Sequence, residues 1–335
     1  MKKLELTIKQ KIGVKGIANM IETARQCLKN IVQNVEKVII GKREAIELAL
    51  IALSCEGHAL IEDVPGVGKT SLVSAIAKSI DCSFKRIQFT PDILPSDITG
   101  FTIYNQKTGD FEYKPGVVMS NIVLADEINR TSPKTQASLL EVMEEKQVTV
   151  DGITYKVPRP FMVLATQNPV EYLGTYPLPE AQLDRFTLKI NIGYPNSEDE
   201  SKILSRFKVD NPLASLTPVT DKQFILNLQE TVRKIYVDQS LNHYIVEITS
   251  STRRNADVVL GASPRGSLSL FRTSQAWALY NGRDYVIPDD IKKMAIPVLS
   301  HRLILRQEAK LKKITAEDII RAIIYSINVP MVASK

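Results

Sequence analysis

The chain of 335 residues is short of the residues that staple small secreted proteins. Its three cysteines, Cys27, Cys55 and Cys82, are odd in number and far apart, and no CxxC pair occurs. This excludes a disulfide framework and points to free thiols in a reducing compartment. Three scattered histidines, His58, His243 and His301, give no zinc-ligand spacing. No stretch approaches the roughly 18 apolar residues of a membrane span. The opening Met1-Lys2-Lys3-Leu4-Glu5-Leu6-Thr7 lacks the apolar segment of a secretion signal. No membrane span and a cytoplasmic location are therefore expected. A surplus of one charge is also missing: 43 basic against 37 acidic residues give +6, mixed along the chain. Nucleic-acid proteins concentrate basic residues in a stripe, so nucleic acid is an unlikely partner.

What is present is an ordinary globular composition, 44% hydrophobic and 24% charged, at a length suited to two domains. Residues 1–18 hold Gly13 and Gly16 and no clear period, and read as a loose leader. Apolar positions from Asn19 to Val38 recur at helical spacing, and Ala45 to Leu53 reads as a buried helix. The rhythm then alternates. Short apolar runs at Ala59–Ile61, Ile122–Ala125, Phe161–Ala165 and Phe186–Ile190, and an apolar–polar alternation at Phe84–Phe89, read as strands, separated by helices such as Ser71–Ile80 and Lys134–Glu145. This alternation predicts an α/β fold, a parallel sheet flanked by helices. Two hairpins interrupt it, one near 101–113 and one near 147–157 turning on Asp151-Gly152. After Pro195 the strand signals fade and helical periods follow to Ile327. The expected domains are 19–195, nucleotide-binding α/β, and 196–335, an all-helical lid.

The chemistry begins at Asp63-Val64-Pro65-Gly66-Val67-Gly68-Lys69-Thr70. The stretch fits most of the phosphate-loop pattern G-x-x-x-x-G-K-[ST], with Asp63 in place of the first glycine, between a strand and a helix as the motif requires. Gly66 and Gly68 let backbone N–H groups curl around an anion, and the helix entered at Thr70-Ser71 points its positive end there. Lys69 supplies charge to the phosphates and Thr70 a hydroxyl for Mg²⁺. ATP and Mg²⁺ are thus the expected ligands, with Pro65 to Ser71 as the stretch that holds the nucleotide. A bare Gly/Pro turn with an exposed lysine is the bland alternative.

Downstream, the apolar run Ile122-Val123-Leu124-Ala125 ends in Asp126-Glu127, delivering two carboxylates to a strand's carboxyl end, where ligands bind in open α/β sheets. Asp126 suits Mg²⁺, and Glu127 suits orienting and deprotonating a water. Asn168 follows the next buried strand and reaches a phosphate or is simply part of an Asn-Pro turn. Arg185 suits phosphate oxygens, although a salt bridge with Asp184 or Glu180 explains it equally well on sequence alone. Arg265, in Ser263-Pro264-Arg265-Gly266, opens a helix and is nucleotide-directed or solvent-exposed.

This ordered set resembles the MoxR family of AAA+ ATPases over about residues 30–330. The resemblance is carried by Ile61 to Thr70, Leu124 to Arg130, Pro133-Lys134-Thr135-Gln136, Ala165 to Phe186 and Ser263-Pro264-Arg265. It implies a nucleotide site in which Asn168 is sensor 1, Arg185 an arginine finger acting in trans on a neighbour's nucleotide, and Arg265 sensor 2. The hairpins become the helix-2 insert and the pre-sensor-1 insert. Val38 to Lys42, including Ile40 and Gly41, falls where the adenine is contacted. A homo-oligomeric ring, usually a hexamer, a chaperone-like role and a partner bearing a von Willebrand A-type domain are also implied. The chain departs from the family in Asp63 and in Lys114-Pro115-Gly116-Val117-Val118-Met119, where Gly-Pro-Ile-Phe is common. Other readings of the same residues are a nucleic-acid-stimulated AAA+ motor, a metal-chelatase-type ATPase subunit, and a nucleotide-binding scaffold without turnover. Against the motor, the second hairpin carries Asp151 and only Lys156 as a basic residue.

Overall fold

In the computed structural model, which describes residues 2–64, 66–168, 175–207 and 212–330, with side chains from Asn19 onward, the chain divides into two units. One is Ile31–Leu226; the other joins Met1–Asn30 to Asn227–Lys335. The sequence reading placed residues 196–226 with the helical domain, and the structure groups them with the sheet instead. The reason lies in specific bonds. The buried Asn34 amide donates to the Thr217 carbonyl at 2.9 Å, the Val219 amide donates to the Ser79 carbonyl at 2.9 Å, and Lys78 Nζ reaches the Leu213 carbonyl at 2.8 Å. The leader expected over 1–18 is likewise helical from Lys2: α1 runs Lys2–Glu36 without a break. Leu4, Ile8 and Ile12 stand at i, i+4 spacing, which supports a helix despite the two glycines.

The sheet unit continues with α2 (Arg43–Ser54), β1 (Ala59–Glu62), α3 (Lys69–Ser79), β2 (Phe84–Gln88) and α4 (Pro95–Thr99). The first hairpin is β3 (Gly100–Asn105) with β4 (Asp110–Pro115), followed by β5 (Ile122–Asp126) and α5 (Pro133–Glu145). The second is β6 (Gln147–Val150) with β7 (Ile153–Lys156), and β8 (Met162–Gln167), α6 (Glu180–Leu183), β9 (Leu188–Ile190) and α7 (Ser197–Phe207) complete the set. Five strands form one parallel sheet in the order β2-β5-β8-β1-β9. Ile122 to Ala125 and Met162 to Ala165 are buried throughout, as continuous apolar strands covered on both faces should be. The register pairs Glu62 with Gln167 and Gln88 with Asp126. Four strand ends carrying polar residues are thereby drawn up along one edge.

Both hairpins form. The Asp151-Gly152 turn has positive φ at both residues, 50° and 79°, the backbone that a tight two-residue hairpin requires. Tyr113 and Tyr155 stack with ring centroids 4.0 Å apart and 12° between planes, which joins the two hairpins. The departure at 114–119 packs well. Val117 and Val118 are buried and donate to the Asp97 and Ile98 carbonyls, and a side chain at Gly116 would meet the Ile98 carbonyl oxygen at 2.2 Å.

The second unit holds α9 (Gln239–Arg254), α10 (Pro264–Tyr280), α11 (Pro288–Leu299), α12 (Gln307–Leu311) and α13 (Ala316–Ser326); the boundary falls within α1 and within α8 (Lys222–Val232). It is helical, with one addition that the sequence reading lacked: a two-stranded antiparallel ribbon of β10 (Val258–Leu260) and β11 (Ile304–Leu305). These runs are too short to show a period. Side chains cap the helices: Ser263 accepts from the Arg265 and Gly266 amides, and Thr315 exchanges bonds with Asp318.

Candidate nucleotide site

The phosphate loop connects β1 to α3, as its pattern requires. Gly66 and Gly68 adopt φ of 84° and 88°, so both need the left-handed backbone open to glycine. Pro65 lies outside the described residues. Lys69 Nζ donates to the Asp63 carbonyl at 2.8 Å, folding the lysine back across the loop. Burial pulls the Lys69 ammonium below its ordinary pKa, and Asp126, Asp63 and Glu127 offset part of that.

Asp63 explains its own departure from the motif. Its buried carboxylate accepts from the Val64 amide at 2.8 Å, from the Ile192 amide at 2.7 Å and from the Gly193 amide at 2.5 Å. The side chain therefore fastens the start of the loop to the segment leaving β9. From there Lys42 Nζ reaches the Tyr194 carbonyl at 2.8 Å, which ties the turn at 40–42 to the same segment.

A polar cavity of about 400 Å³ opens beside the loop, lined by Gly66, Gly68, Lys69, Thr70, Ser71, Arg86, Gln88, Asp126 and Glu127. Asp126 and Glu127 arrive from β5, and the buried Thr166 of β8 serves both. Its hydroxyl donates to Asp126 Oδ1 at 2.6 Å and accepts from the Glu127 amide at 2.8 Å. Glu127 holds φ of 57°, a sparsely populated backbone for a side-chain-bearing residue and a recurrent mark of functional sites. Its Oε2 accepts from Gln88 Nε2 at 2.6 Å and pairs with Arg130 Nε at 3.2 Å.

A second cavity of about 390 Å³ shares Gly66, Gly68 and Ser71 with the first. The rest of its wall is largely apolar: Val38, Ile39, Ile40, Val67, Pro195, Ile203, Pro212 and Leu213, with Lys42. A charged half and an apolar half thus meet at one loop, the arrangement that a nucleotide's phosphates and base demand. Gly41, expected beside Ile40, does not line this wall. It permits the close approach of α7, since a side chain there would collide with the Asp199 carboxylate at 1.9 Å.

The remaining expected residues are dispersed. Asn168 follows β8 and is buried, but stands outside the lining of both cavities, and the Asn-Pro turn predicted with it runs into residues outside those described. Arg185 Nη1 donates to the Leu140 carbonyl of its own chain and also lines neither cavity. Arg265 is exposed at the start of α10, in the other unit. Sequence reasoning missed Arg86, Gln88 and the role of Thr166. Arg86 and Gln88 stand two apart on one strand, hence on one face, which was the available signal. Gln136 was noted only for the resemblance. It is buried and donates to the Ile128 and Tyr176 carbonyls at 3.1 and 2.9 Å, bracing the turn after Glu127.

Among the described residues no group of three or more His, Cys, Asp or Glu side chains is placed to cage a metal. Thr70 and Asp126 offer hard oxygen donors on one wall, a set that fits Mg²⁺ completed by phosphate oxygens and water.

Comparison with known proteins agrees with this geometry. Residues 58–188 match the family model described as ATPase family associated with various cellular activities (AAA), and residues 250–323 match the AAA lid domain. Chaperone MoxR1 of Mycobacterium tuberculosis is 41% identical over 329 residues, covering 96% of this chain and 86% of that protein. The uncharacterized Bacillus subtilis protein YeaC is 56% identical over 300 residues, 90% of this chain and 94% of its own. A solved structure from Cytophaga hutchinsonii, of a protein proposed to be an ATPase, superposes with a TM-score of 0.89 at 41% identity, over 96% of this chain and 100% of that one. The protein is an AAA+ ATPase with an AAA lid. Within that class, the chain belongs to the MoxR family. Among the described residues no helix is long and apolar enough to cross a membrane.

Proposed function

We propose that this chain hydrolyses ATP with Mg²⁺ and uses the cycle to remodel or activate a protein partner. The observation that carries hydrolysis is the convergence of Lys69, Thr70, Asp126 and Glu127 on one cavity that shares its loop with an apolar one. Lys69 and the loop amides hold the phosphates. Thr70 and Asp126 would hold Mg²⁺, which would supply positive charge where phosphate charge develops. Glu127, kept in place by Gln88, Arg130 and the Thr166 bridge, takes the proton of the attacking water. Ile40 and its apolar neighbours receive the base. Asn168 and Arg265 act as phosphate sensors in this reading.

Arg185 bonds the Leu140 carbonyl and lines neither cavity of its own chain, which favours action on a neighbour's nucleotide. Head-to-tail contacts of that kind close into a ring, and a hexamer is proposed. A chaperone-like role follows the description of MoxR1, and a partner with a von Willebrand A-type domain is proposed with it. The decisive experiment is ATP turnover by the wild type and by Glu127→Gln. Turnover at background in the wild type, despite nucleotide binding, would leave only a scaffold. Mixing Glu127→Gln with Arg185→Ala subunits tests the ring: recovery of activity above either alone supports a trans arginine, and normal turnover by Arg185→Ala alone refutes it.

A further inference from the structure

The polar cavity contains a cation that the hydrolytic reading does not use. Arg86 projects from β2 and places two donors on a single oxygen of Asp126: Nη2 at 2.6 Å and Nε at 3.1 Å from Oδ2. The same Nη2 donates to Gln88 Oε1 at 2.6 Å, which fixes the guanidinium plane. Thr166 holds the other oxygen, Oδ1. Both oxygens of the carboxylate that suits the metal are therefore already bonded, one of them to a positive charge. Four charged side chains line the cavity, Lys69 and Arg86 against Asp126 and Glu127, and Arg130 pairs with Glu127 from outside the lining. Without Arg86 the Asp126 carboxylate would face an incoming polyphosphate with no cation bonded to it. A guanidinium cannot shed its proton to relieve the pairing, and its fork suits a carboxylate or a phosphate equally well.

We propose that Arg86 is a positioning residue that stands in for the metal's charge at Asp126, and so sets how strongly nucleotide binding depends on Mg²⁺. The inference rests on the nucleotide reading above. In the empty site Arg86 neutralises Asp126 and admits the phosphates before any metal arrives. Asp126 would have to give up Arg86 at Oδ2 to hold Mg²⁺, and the released guanidinium would be free to turn towards phosphate oxygens. Arg86 thus strengthens binding of metal-free nucleotide and weakens the hold on Mg²⁺. A purely structural side chain does neither selectively.

The test is equilibrium binding of a fluorescent, slowly hydrolysed ATP analogue to the full chain, in EDTA and in a Mg²⁺ titration. In Arg86→Gln the Kd in EDTA should rise about tenfold and the half-saturating Mg²⁺ should fall about tenfold, the scale of one charge-assisted bond. Arg86→Lys keeps the charge without the fork, so metal-free binding should return to within about twofold of the wild type while the Mg²⁺ requirement stays lowered. If Arg86→Gln does not fold, Arg86→Lys decides alone on its Mg²⁺ requirement. In Arg86→Gln, unchanged constants, or constants that move in the same sense, overturn the proposal; in Arg86→Lys, an unchanged Mg²⁺ requirement does. A wild type that binds no nucleotide sinks the underlying reading, which is a separate outcome.

Discussion

The two cavities that share the phosphate loop are built in opposite ways. The polar one is made of charged and polar side chains from the adjacent parallel strands β2 and β5, with the loop itself. The apolar one collects ordinary aliphatic residues from three distant stretches, 38–42, 195–203 and 212–213. Chemistry is concentrated in the first and shape in the second. Damage to the first should therefore strike turnover, and damage to the second should strike affinity.

The largest effect is expected at Glu127. Glu127→Gln should lower ATP turnover by about 10²–10⁴-fold, the range of positioned acid–base catalysis, and leave nucleotide binding intact. A steady-state phosphate-release assay beside a binding titration measures both. Thr166→Val comes next. It removes the hydroxyl that bonds Asp126 and caps the Glu127 amide, leaving a buried N–H unpaired; kcat should fall by about tenfold with KM little changed. Leu213→Ala works on the other cavity. KM should rise about fivefold with kcat unchanged, from lost apolar contact with the base. If Leu213→Ala lowers kcat as Thr166→Val does, the division of labour between the cavities is wrong.

A last effect, on stability and not on turnover, lies in neither cavity and serves as the control for both. His58 is buried just before β1. Its Nδ1 accepts from the Val163 amide, its Nε2 bonds the Met143 carbonyl, and burial lowers its pKa from 6.5 to about 4. Between those values the unfolded chain takes up a proton that the folded chain refuses, so stability falls as pH drops below 6.5. From pH 7 to 5 the loss from this group is roughly 2 kcal/mol, readable by denaturant titration. His58→Gln should flatten that dependence.

The same contrast decides what could be read before the fold was known. The sheet was legible because each buried strand announces itself as an apolar run, and Asp126-Glu127 because charge at the end of such a run is conspicuous. Lys69 and Thr70 were legible for a related reason, since a phosphate loop is continuous in sequence. Ile40 came only through resemblance, because an aliphatic side chain that touches a base looks like one that fills a core. Arg86 and Thr166 needed the strand order, since their partner Asp126 lies some forty residues away in each case. The ribbon of β10 and β11 was missed because two or three residues carry no period. The placement of residues 212–220 was missed because long-range bonds decide it, from Asn34 and Lys78 to the Thr217 and Leu213 carbonyls and from the Val219 amide to Ser79, and a local pattern does not encode them.

The Asp63 clasp has a thermodynamic consequence. A glycine-rich loop normally loses conformational entropy when it wraps an anion. Here three amides on one carboxylate, and Lys69 on the Asp63 carbonyl, have already curbed the loop during folding. Nucleotide association should accordingly carry a smaller entropic penalty than in a chain with glycine at that position, and the difference between the wild type and Asp63→Gly should appear in calorimetry chiefly as −TΔS rather than ΔH.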